Sequence, residues 1–347
     1  RSPRPNRLLL KERFATAIAR GILTVNAKPF TSVDRDLLKR CLETVYASEG
    51  DFSYQVVVVD NASDDESVSL VRRRFPTVRV VELERNLGYG AGNNVGIDAT
   101  SGRYILVLNP DAWPLDQGVE RLVEAMDASP RVAIVGPRLS SEDGRRERTV
   151  RGFPTVWRLA TEYFFLRWLA PWTKSLNAFY GAGVDLSRSE EVDWVVGAAI
   201  LVRREAFEEA GGFDPDFFMY DDEVDLAYRL HQLGWKVLHQ PDARFVHLGG
   251  GSTQPRADEL HREQLRSHLR FLDKHHGRTT AERGRRVLHH AMRWRRLVLA
   301  GERRRRSAAA AGWLAGRDVA ALLSEDLPRP GPAGPLAPRN GQPAPDP

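Results

Sequence analysis

The stretch QVVVVDNAS (55–63) decides the class of fold, because it joins an uninterrupted apolar run to a polar turn. Four consecutive valines without polar alternation are typical of a strand that is buried on both faces. Runs of the same kind follow at VRVVEL (78–83), RYILVLN (103–109) and VAIVG (132–136). Segments of helical character separate them: SVSLVRRRF (67–75), GNNVGIDAT (92–100) and LDQGVERLVEAMDA (115–128). The alternation predicts right-handed βαβ units in an open, mostly parallel α/β sheet flanked by helices.

The rest of the chain divides by composition. A strand leading into a helix is predicted at VDWVVGAAILVRREAFEEAGGF (192–213), and two more strands at WKVLHQP (235–241) and ARFVHLGGGST (243–253). From Ala257 the sequence turns helical and basic, and its end is rich in Pro and Gly. We therefore expect a sheet domain at 1–256, a basic helical extension at 257–326 and a disordered tail at 327–347.

Polar residues stand where the predicted strands end, the edge at which open α/β sheets bind ligands. Asp60 ends QVVVVD, and Asn109-Pro110-Asp111 ends ILVL. Turn formation explains both, but two oxygen-bearing side chains flanking a proline also suit a hard divalent ion and a diphosphate. His247 ends a strand before three glycines, which let the backbone approach a ligand closely. A structural histidine is the alternative there.

An acidic cluster is the most unusual local feature of the sequence. The stretch FFMYDDEVDLAYRLHQLGW (217–235) has four acids in five positions, at the start of a helix predicted by its leucine spacing and by Gly234. Capping of the helix explains one acid, and a pair with Arg229 explains Asp225. Three adjacent carboxylates repel one another unless a cation or a substrate lies nearby.

Composition limits the class of protein. The 347 residues carry a formal charge of +5, and arginines concentrate in Arg283–Arg306. The single Cys41 excludes an internal disulfide and suits a reducing compartment. No apolar run reaches the roughly 20 residues of a membrane span. The apolar stretch within the opening residues is too short for a secretory signal. These features predict a cytoplasmic protein.

Two segments have sequence patterns that fit either a membrane surface or the protein interior. In FPTVWRLATEYFFLRWLAPW (153–172), aromatic residues and leucines alternate with few charges, so the segment is either a buried helix or a flap that faces a membrane or an acceptor. Within 287–298 an apolar face is predicted opposite a basic one. The apolar face consists of Val287, Ala291, Trp294 and Val298. A helix packed on the sheet domain and a peripheral helix on the inner face of an anionic plasma membrane both fit this pattern.

Two classes of ligand are disfavoured. The glycines of RNLGYGAGNNVG (85–96) do not form the G-x-G-x-x-G frame of a dinucleotide loop. The arginine run lacks an aromatic stacking platform or a reading helix, so we expect no nucleic-acid partner.

Together the motifs resemble a known family. In order these are VVDNAS (58–63), RNLGYGAGNNVGI (85–97), NPDA (109–112), VVGAAILVRREAF (195–207), GGFDPDFFMYDDEVDLAYRL (211–230) and VHLGGGST (246–253). Their order and spacing resemble the inverting family-2 glycosyltransferases of the GT-A fold. Among these the chain looks most like rhamnosyltransferase-type enzymes that act on polyprenyl-diphosphate-linked sugars in bacterial cell-wall assembly.

The resemblance implies a role for each strand-end residue. Asp60 matches the carboxylate that receives the pyrimidine N3–H of the donor nucleotide. Asn109 and Asp111 match the two ends of the family's D-x-D motif, with Asp111 as a ligand of Mg²⁺ or Mn²⁺. His247 matches a histidine that some members add to the metal shell.

Asp222-Glu223 matches the family's acidic pair, whose second acid is the usual general base. Because that acid is Glu in this chain, the resemblance leaves open whether Asp222 or Glu223 takes the proton.

The implied function is metal-dependent, inverting transfer of a sugar from a nucleotide donor to a polyprenyl-diphosphate-linked or polysaccharide acceptor. L-rhamnose from dTDP-rhamnose is the expected donor, and UDP-galactofuranose or a UDP-hexosamine is the alternative. The family's opening strand is matched only in part by ILTVN (22–26), which leaves open a displaced or lost strand. A non-catalytic binding protein on a degraded GT-A fold is therefore the second hypothesis.

Overall fold

A computed structural model describes the backbone of residues 21–27. It also describes residues 35–48, 52–63, 65–170, 172–181, 183–249 and 257–325. Strands in the first half are β1 (Gly21–Ala27), β2 (Tyr54–Asp60), β3 (Arg79–Glu82), β4 (Tyr104–Leu108), β5 (Ala112–Leu115) and β6 (Val132–Ser140). Later strands are β7 (Val150–Arg151), β8 (Glu190–Val192), β9 (Trp194–Val195), β10 (Ala199–Arg203) and β11 (Lys236–His247). The four strands predicted from apolar runs between residues 55 and 136 are all present.

Nine of these described strands form one mixed sheet. Its order is β3-β2-β1-β4-β10-β6-β11-β5, and β8 also pairs with β11. Strands β1, β2, β3, β4, β6 and β11 point the same way, while β5, β8 and β10 run antiparallel to their neighbours. The mostly parallel sheet that the sequence predicts is confirmed.

Strand β1 is neither displaced nor lost. It lies between β2 and β4, parallel to both, with Ala27 in register with Asp60. The segment GILTVNA is rich in β-branched residues, which favour a central strand over a loop. The observation behind the degraded-fold hypothesis therefore does not hold.

Strand β11 corrects another prediction. WKVLHQP and ARFVHL form one strand, Lys236–His247, instead of two. Its pairing with β6 shifts register between Gln240 and Arg244. The residues around Pro241 are thus absorbed as an irregularity within the strand, so no turn is needed.

Helices cover both faces of the sheet. They are α1 (Arg35–Ala47), α2 (Ser67–Arg74), α3 (Tyr89–Asp98), α4 (Gly118–Asp127), α5 (Val156–Tyr163), α6 (Lys174–Asn177), α7 (Arg204–Glu209) and α8 (Asp222–Gln232). Helices α1 and α4 contribute Leu38 and Leu122 to one apolar core, and α8 contributes Leu226 to a second core on the other face. The buried Cys41 of α1 lies in the first core.

The basic extension consists of four helices. These are α9 (Ala257–His276), α10 (Arg278–Val298), α11 (Gly301–Leu314) and α12 (Val319–Leu323). They share a third core with Leu159 and Tyr163 of α5, and Phe271 of α9 reaches into the core that contains α8. The predicted start of the extension coincides with the start of α9. Its status as a separate domain stays a prediction, and the tail at 327–347 lies outside the described residues.

Helix α10 packs on a different face from the one predicted. Its buried residues are Ala281, Gly284, Leu288, Ala291 and Met292. Of the predicted stripe only Ala291 is buried, whereas Trp294 and Val298 remain 44% and 47% exposed. The first four turns therefore pack as an ordinary helix of the extension, and the last turn presents apolar side chains to solvent.

The aromatic segment at 153–172 is divided in the same way. Leu159 and Tyr163 are buried, whereas Trp168, Leu169 and Trp172 are 70%, 75% and 81% exposed. Among the described helices, none combines the length and apolar character needed to cross a membrane.

Candidate active site

The acidic cluster begins with a strained turn. Tyr220 and Asp221 both have left-handed backbones, with φ of 66° and 58°. Such a conformation is costly for non-glycine residues and persists only where the surroundings hold it. Asp221 makes no side-chain cap of α8, contrary to the capping interpretation. Its Oδ2 instead lies 2.5 Å from Nδ1 of the buried His268 on α9.

Asp222 and Glu223 follow this turn as a coupled pair. Asp222 is 1% exposed, and its Oδ2 has no hydrogen-bond partner among the described residues. Glu223 is partly exposed and accepts a hydrogen bond from the backbone N–H of Gly197, 3.3 Å away. Burial and the charge of Glu223 raise the pKa of Asp222 well above its ordinary value. Burial also raises the pKa of Glu223, although hydrogen bonds from Asp222 and Gly197 oppose the rise.

The pair can hold one proton between them. Burial raises the pKa of both acids, so the pair favours a state in which one carboxyl is protonated and the other is charged. Two carboxyl groups with environments this different are typical of an acid–base site.

The fourth acid is structural. Asp225 is fully buried and lies 2.7 Å from Arg229, 2.6 Å from Lys274 and 2.8 Å from His275. Burial acts to raise its pKa, but these partners outweigh it and lower the pKa. The predicted pair with Arg229 is confirmed, and Asp225 ties α8 to α9.

The Asn109-Pro110-Asp111 turn lies beside the acidic pair. The backbone N–H of Asn109 donates to the carbonyl of Ala198 at 2.8 Å. The neighbouring Gly197 carbonyl accepts from the Tyr89 hydroxyl at 2.5 Å, and Gly197 N–H donates to Glu223. The loop at 197–198 thus connects the turn after β4 to the start of α8.

His247 and Asp111 are brought together by the sheet. Strand β11 pairs with β5 so that His247 lies opposite Ala112, next to Asp111. Nε2 of His247 is 3.7 Å from Oδ1 of Asp111, which is too long for a hydrogen bond. Nδ1 lies 3.0 Å from Oε2 of Glu147, and since a carboxylate accepts, Nδ1 carries the hydrogen.

The surroundings of His247 favour the protonated, positively charged form of its ring. Burial acts to lower the pKa of His247, but the hydrogen bond to Glu147 and the charges of Asp111 and Glu147 outweigh it and raise the pKa. A carboxylate that orients a histidine through Nδ1 is the usual outer partner of a metal-bound histidine. No three His, Cys, Asp or Glu side chains in the described ranges are arranged to hold a metal by themselves. Asp111 and His247 fit a divalent ion that a substrate also ligates.

Asp60 lies at the same edge of the sheet, on β2. The backbone N–H of Ser63 points at both of its carboxylate oxygens, at 3.3 and 3.4 Å. Burial raises the pKa of Asp60, although Ser63 opposes this. Strands β2 and β4 are separated only by β1, so Asp60 and Asn109 lie roughly 10 Å apart across the sheet.

Several residues of the site escaped the sequence interpretation. Asn61 donates to the Gly88 carbonyl at 2.8 Å and accepts from Leu87 N–H at 2.7 Å, which fixes the glycine-rich loop against the end of β2. The position of Asn61 next to Asp60 within VVDNAS was the sequence signal that could have identified it. Glu147 and His268 lie in segments without a motif, and only the fold brings them to the site.

Comparison with known proteins agrees with this geometry. The model of the family described as Glycosyl transferase family 2 matches residues 24–211, more than half of the chain. The chain belongs to glycosyl transferase family 2.

This glycosyltransferase is similar to named relatives. It is 31% identical over 240 residues to an N-acetylglucosaminyl-diphospho-decaprenol L-rhamnosyltransferase of Mycobacterium tuberculosis, covering 64% of this chain and 76% of the relative. It is 23% identical over 246 residues to the rhamnosyltransferase WbbL of Escherichia coli K12, covering 68% and 88%.

Solved structures agree on the fold of this glycosyltransferase. GalNAc-T7, crystallised with UDP, GalNAc and Mn²⁺, matches with a TM-score of 0.55 at 16% identity, covering 86% of this chain and 56% of that chain. The mannosyltransferase PcManGT of Pyrobaculum calidifontis, in complex with GDP-Man and Mn²⁺, matches with a TM-score of 0.51 at 19% identity, covering 91% and 85%. The fold is that of the GT-A glycosyltransferases.

Proposed function

We propose that the protein is a metal-dependent, inverting hexosyltransferase that moves L-rhamnose from dTDP-rhamnose to a polyprenyl-diphosphate-linked glycan in cell-wall or envelope synthesis. The observation that carries the proposal is the pair of adjacent acids Asp222 and Glu223 beside the Asn109–Asp111 turn, both with raised pKa and with Glu223 held by the Gly197 N–H. A base next to a diphosphate-binding turn is what glycosyl transfer from a nucleotide sugar requires.

Glu223 is the base in this proposal. It is the more exposed member of the pair, and the backbone N–H of Gly197 holds one of its oxygens. Glu223 takes the proton of the acceptor hydroxyl while the hydroxyl oxygen bonds to the anomeric carbon and the bond to the nucleoside diphosphate breaks. Attack from the face opposite the leaving group inverts the anomeric centre.

Asp222 acts on Glu223 and not on the acceptor. Its carboxyl is buried and its pKa is raised, so a proton held there would favour the charged form of Glu223. Asp222 also packs closely against Gly90, where a Cβ would lie 3.2 Å from Asp222 Oδ2.

Asp111 and His247 are the residues that would hold Mg²⁺ or Mn²⁺. Their donor atoms face each other at 3.7 Å, and Glu147 orients the His247 ring. A divalent ion bound there stabilises the negative charge on a departing diphosphate. The same ion is present in the solved GalNAc-T7 and PcManGT complexes.

The donor is proposed from two observations. Asp60 offers buried carboxylate oxygens at the edge of the sheet for a pyrimidine N3–H. The 31% identical relative is named for L-rhamnose transfer to a diphospho-decaprenol-linked sugar. An acceptor of that kind stays in a membrane, which supports a peripheral position on the inner face of the plasma membrane.

A donor-panel assay with the purified chain tests the proposal. Wild type is expected to consume dTDP-rhamnose in preference to UDP-galactofuranose and UDP-hexosamines, and Asp111→Ala to abolish turnover. Preference for a UDP-sugar would replace the donor, and undiminished transfer by Asp111→Ala would overturn the metal site. Failure to bind dTDP with Mn²⁺ in calorimetry would favour a non-catalytic binding protein.

A further inference from the structure

A cationic pocket lies between the aromatic segment and the basic extension. Its volume is about 240 Å³, and its lining includes Arg151, Arg295, Arg303, Arg306, His261 and His268. This volume is below the roughly 300–1,000 Å³ of sites for drug-sized ligands, so the pocket suits a small head group. Four arginines in so small a space call for a compensating anion.

Three of the four arginines lack a carboxylate partner among the described residues. Arg151, Arg295 and Arg303 have no carboxylate oxygen within 4 Å in the described part of the chain, and only Arg306 is paired, with Asp258 at 3.2 Å. Glu162 is the one acid in the described lining, and it lies 3.3 Å from Arg167.

Partial burial of Arg151 and Arg295 makes this concentration of positive charge costly. The Nε of Arg151 is buried without a hydrogen-bond partner among the described residues. Burial lowers the pKa of Arg295, and Arg303 lowers it further. Burial and the charges of Arg295 and Arg306 lower the pKa of His261 to about 4. An anion with several oxygens would offset this repulsion, because guanidinium groups bind phosphates in bidentate fashion.

One wall of the pocket is shared with the turn that precedes the acidic pair. His268 lines it and contacts Asp221, the residue that precedes the acidic pair. A ligand held by the arginines therefore lies beside the turn that positions Glu223.

An apolar surface adjoins the other side of the pocket. The Arg295 guanidinium lies 4.5 Å from the centre of the Phe165 ring, and Arg167 lies over both Tyr180 of the lining and Trp168. Trp168 is largely exposed, as is Leu297 at the end of α10, close to the lining residue Leu299. Anionic and apolar ligand groups would thus find separate contacts on adjacent surfaces.

We propose that this pocket binds the diphosphate of a lipid-linked acceptor, with the acceptor sugar directed toward Glu223 and the prenyl chain lying on the exposed apolar surface. The inference rests on the proposed function for the class of acceptor. It assigns Arg151, Arg295 and Arg303 to acceptor binding, separate from the donor residues at the ends of β2 and β4.

The test is calorimetric titration of the full chain with farnesyl diphosphate in EDTA, which disables a metal-dependent donor site. Arg303→Gln and Arg295→Gln are each expected to weaken binding about tenfold or more, the usual loss for a charge-assisted hydrogen bond. Arg304→Gln is the matched control, because Arg304 is exposed like its neighbour Arg303 but does not line the pocket. Inorganic pyrophosphate is expected to compete with farnesyl diphosphate, and farnesyl monophosphate to bind more weakly.

Equal affinity of wild type and both pocket variants would overturn the inference, as would an Arg304→Gln loss as large as that of Arg303→Gln. Binding of farnesyl diphosphate that pyrophosphate does not displace would also overturn it, since the prenyl chain alone would then be recognised. A separate titration with dTDP and Mn²⁺ tests the proposed function. If wild type binds dTDP but the arginine substitutions have no effect on farnesyl diphosphate binding, only the pocket assignment is rejected. If wild type does not bind dTDP but the arginine substitutions have the predicted effects, only the donor proposal is rejected.

Discussion

The carboxylate of Glu223 accepts a hydrogen bond from the backbone N–H of Gly197, with Oε1 and N 3.3 Å apart. This contact ties the first turn of α8 to the loop that precedes β10, and the next residue of that loop, Ala198, binds the Asn109 backbone. One oxygen of Glu223 is thereby fixed while its pKa stays raised. The proposed base therefore has a defined position relative to the Asn109-Pro110-Asp111 turn.

Replacing this base should separate chemistry from donor binding. We expect Glu223→Gln to lower kcat about 10² to 10⁴-fold, the usual contribution of a general base. The affinity for dTDP should change little, because the side chain acts on the acceptor. Steady-state kinetics and calorimetry on the same preparation provide the measurement. If Asp222→Asn removes turnover and Glu223→Gln does not, the base is Asp222.

Glu147 should control metal affinity without being a ligand. Glu147→Gln removes the charge that orients His247, and we expect the half-saturating Mn²⁺ concentration to rise about 10 to 100-fold. His247→Ala should weaken both Mn²⁺ dependence and activity. Glu191→Gln is a control, because Glu191 is an exposed acid that pairs with Lys236. An unchanged Mn²⁺ titration for both Glu147→Gln and His247→Ala would make His247 structural.

Asp222 should make stability depend on pH. Its folded pKa lies above the ordinary value, so the stability linked to its proton is complete below pH about 4 and is lost as the pH rises through the folded pKa. Asp222→Asn removes this loss. We expect the variant to exceed wild type by roughly 1 to 3 kcal/mol in free energy of unfolding at pH 8, because the amide has no charge that must be buried beside Glu223 and each pKa unit corresponds to about 1.4 kcal/mol.

The difference should shrink as the pH is lowered to 5, because the raised pKa favours protonation of wild-type Asp222 as the pH falls. Thermal unfolding of both proteins at the two pH values gives the comparison. A difference that grows on acidification would contradict the raised pKa.

The basic extension should bind anionic vesicles. We expect sedimentation with phosphatidylserine-containing vesicles at low salt, release at high salt, and loss of binding when Arg303, Arg304, Arg305 and Arg306 become Ser, at about 1 kcal/mol for each charge near the surface. Conversion of Arg72, Arg73 and Arg74 to Ser is the control, because α2 belongs to the sheet domain. Equal recovery with neutral and anionic vesicles would leave only the aromatic segment at 153–172 as a membrane contact.

Continuous apolar runs predicted the parallel core correctly, because β2 and β4 are buried along almost their whole length and need no polar alternation. Strand β11 was divided in error because Pro241 usually ends a strand, whereas here a register shift accommodates it. The exposed end of α10 was assigned the wrong face because helical periodicity alone does not say which neighbours a helix packs against.

The site was predictable where a residue follows a strand or stands in a motif. Asp60, Asn109 and Asp111 lie at one edge of the sheet, because parallel strands end together. Glu147 and His268 were not predictable. Each reaches the site from a distant segment, 100 residues from His247 in one case and 47 from Asp221 in the other, and only tertiary packing brings them there.

Burial of Cys41 has a practical consequence for measuring membrane binding in solution. Its thiol is completely buried in the core beneath the Asn109-Pro110-Asp111 turn. Burial and the charge of Asp111 raise the pKa of this thiol far above the usual value. A thiol in this state reacts slowly with maleimides, since the thiolate is the reactive form. As Cys41 is the single cysteine of the chain, a cysteine introduced at exposed Leu169 would take a fluorophore selectively. Its emission would report the approach of the aromatic segment to a lipid surface in the otherwise native protein.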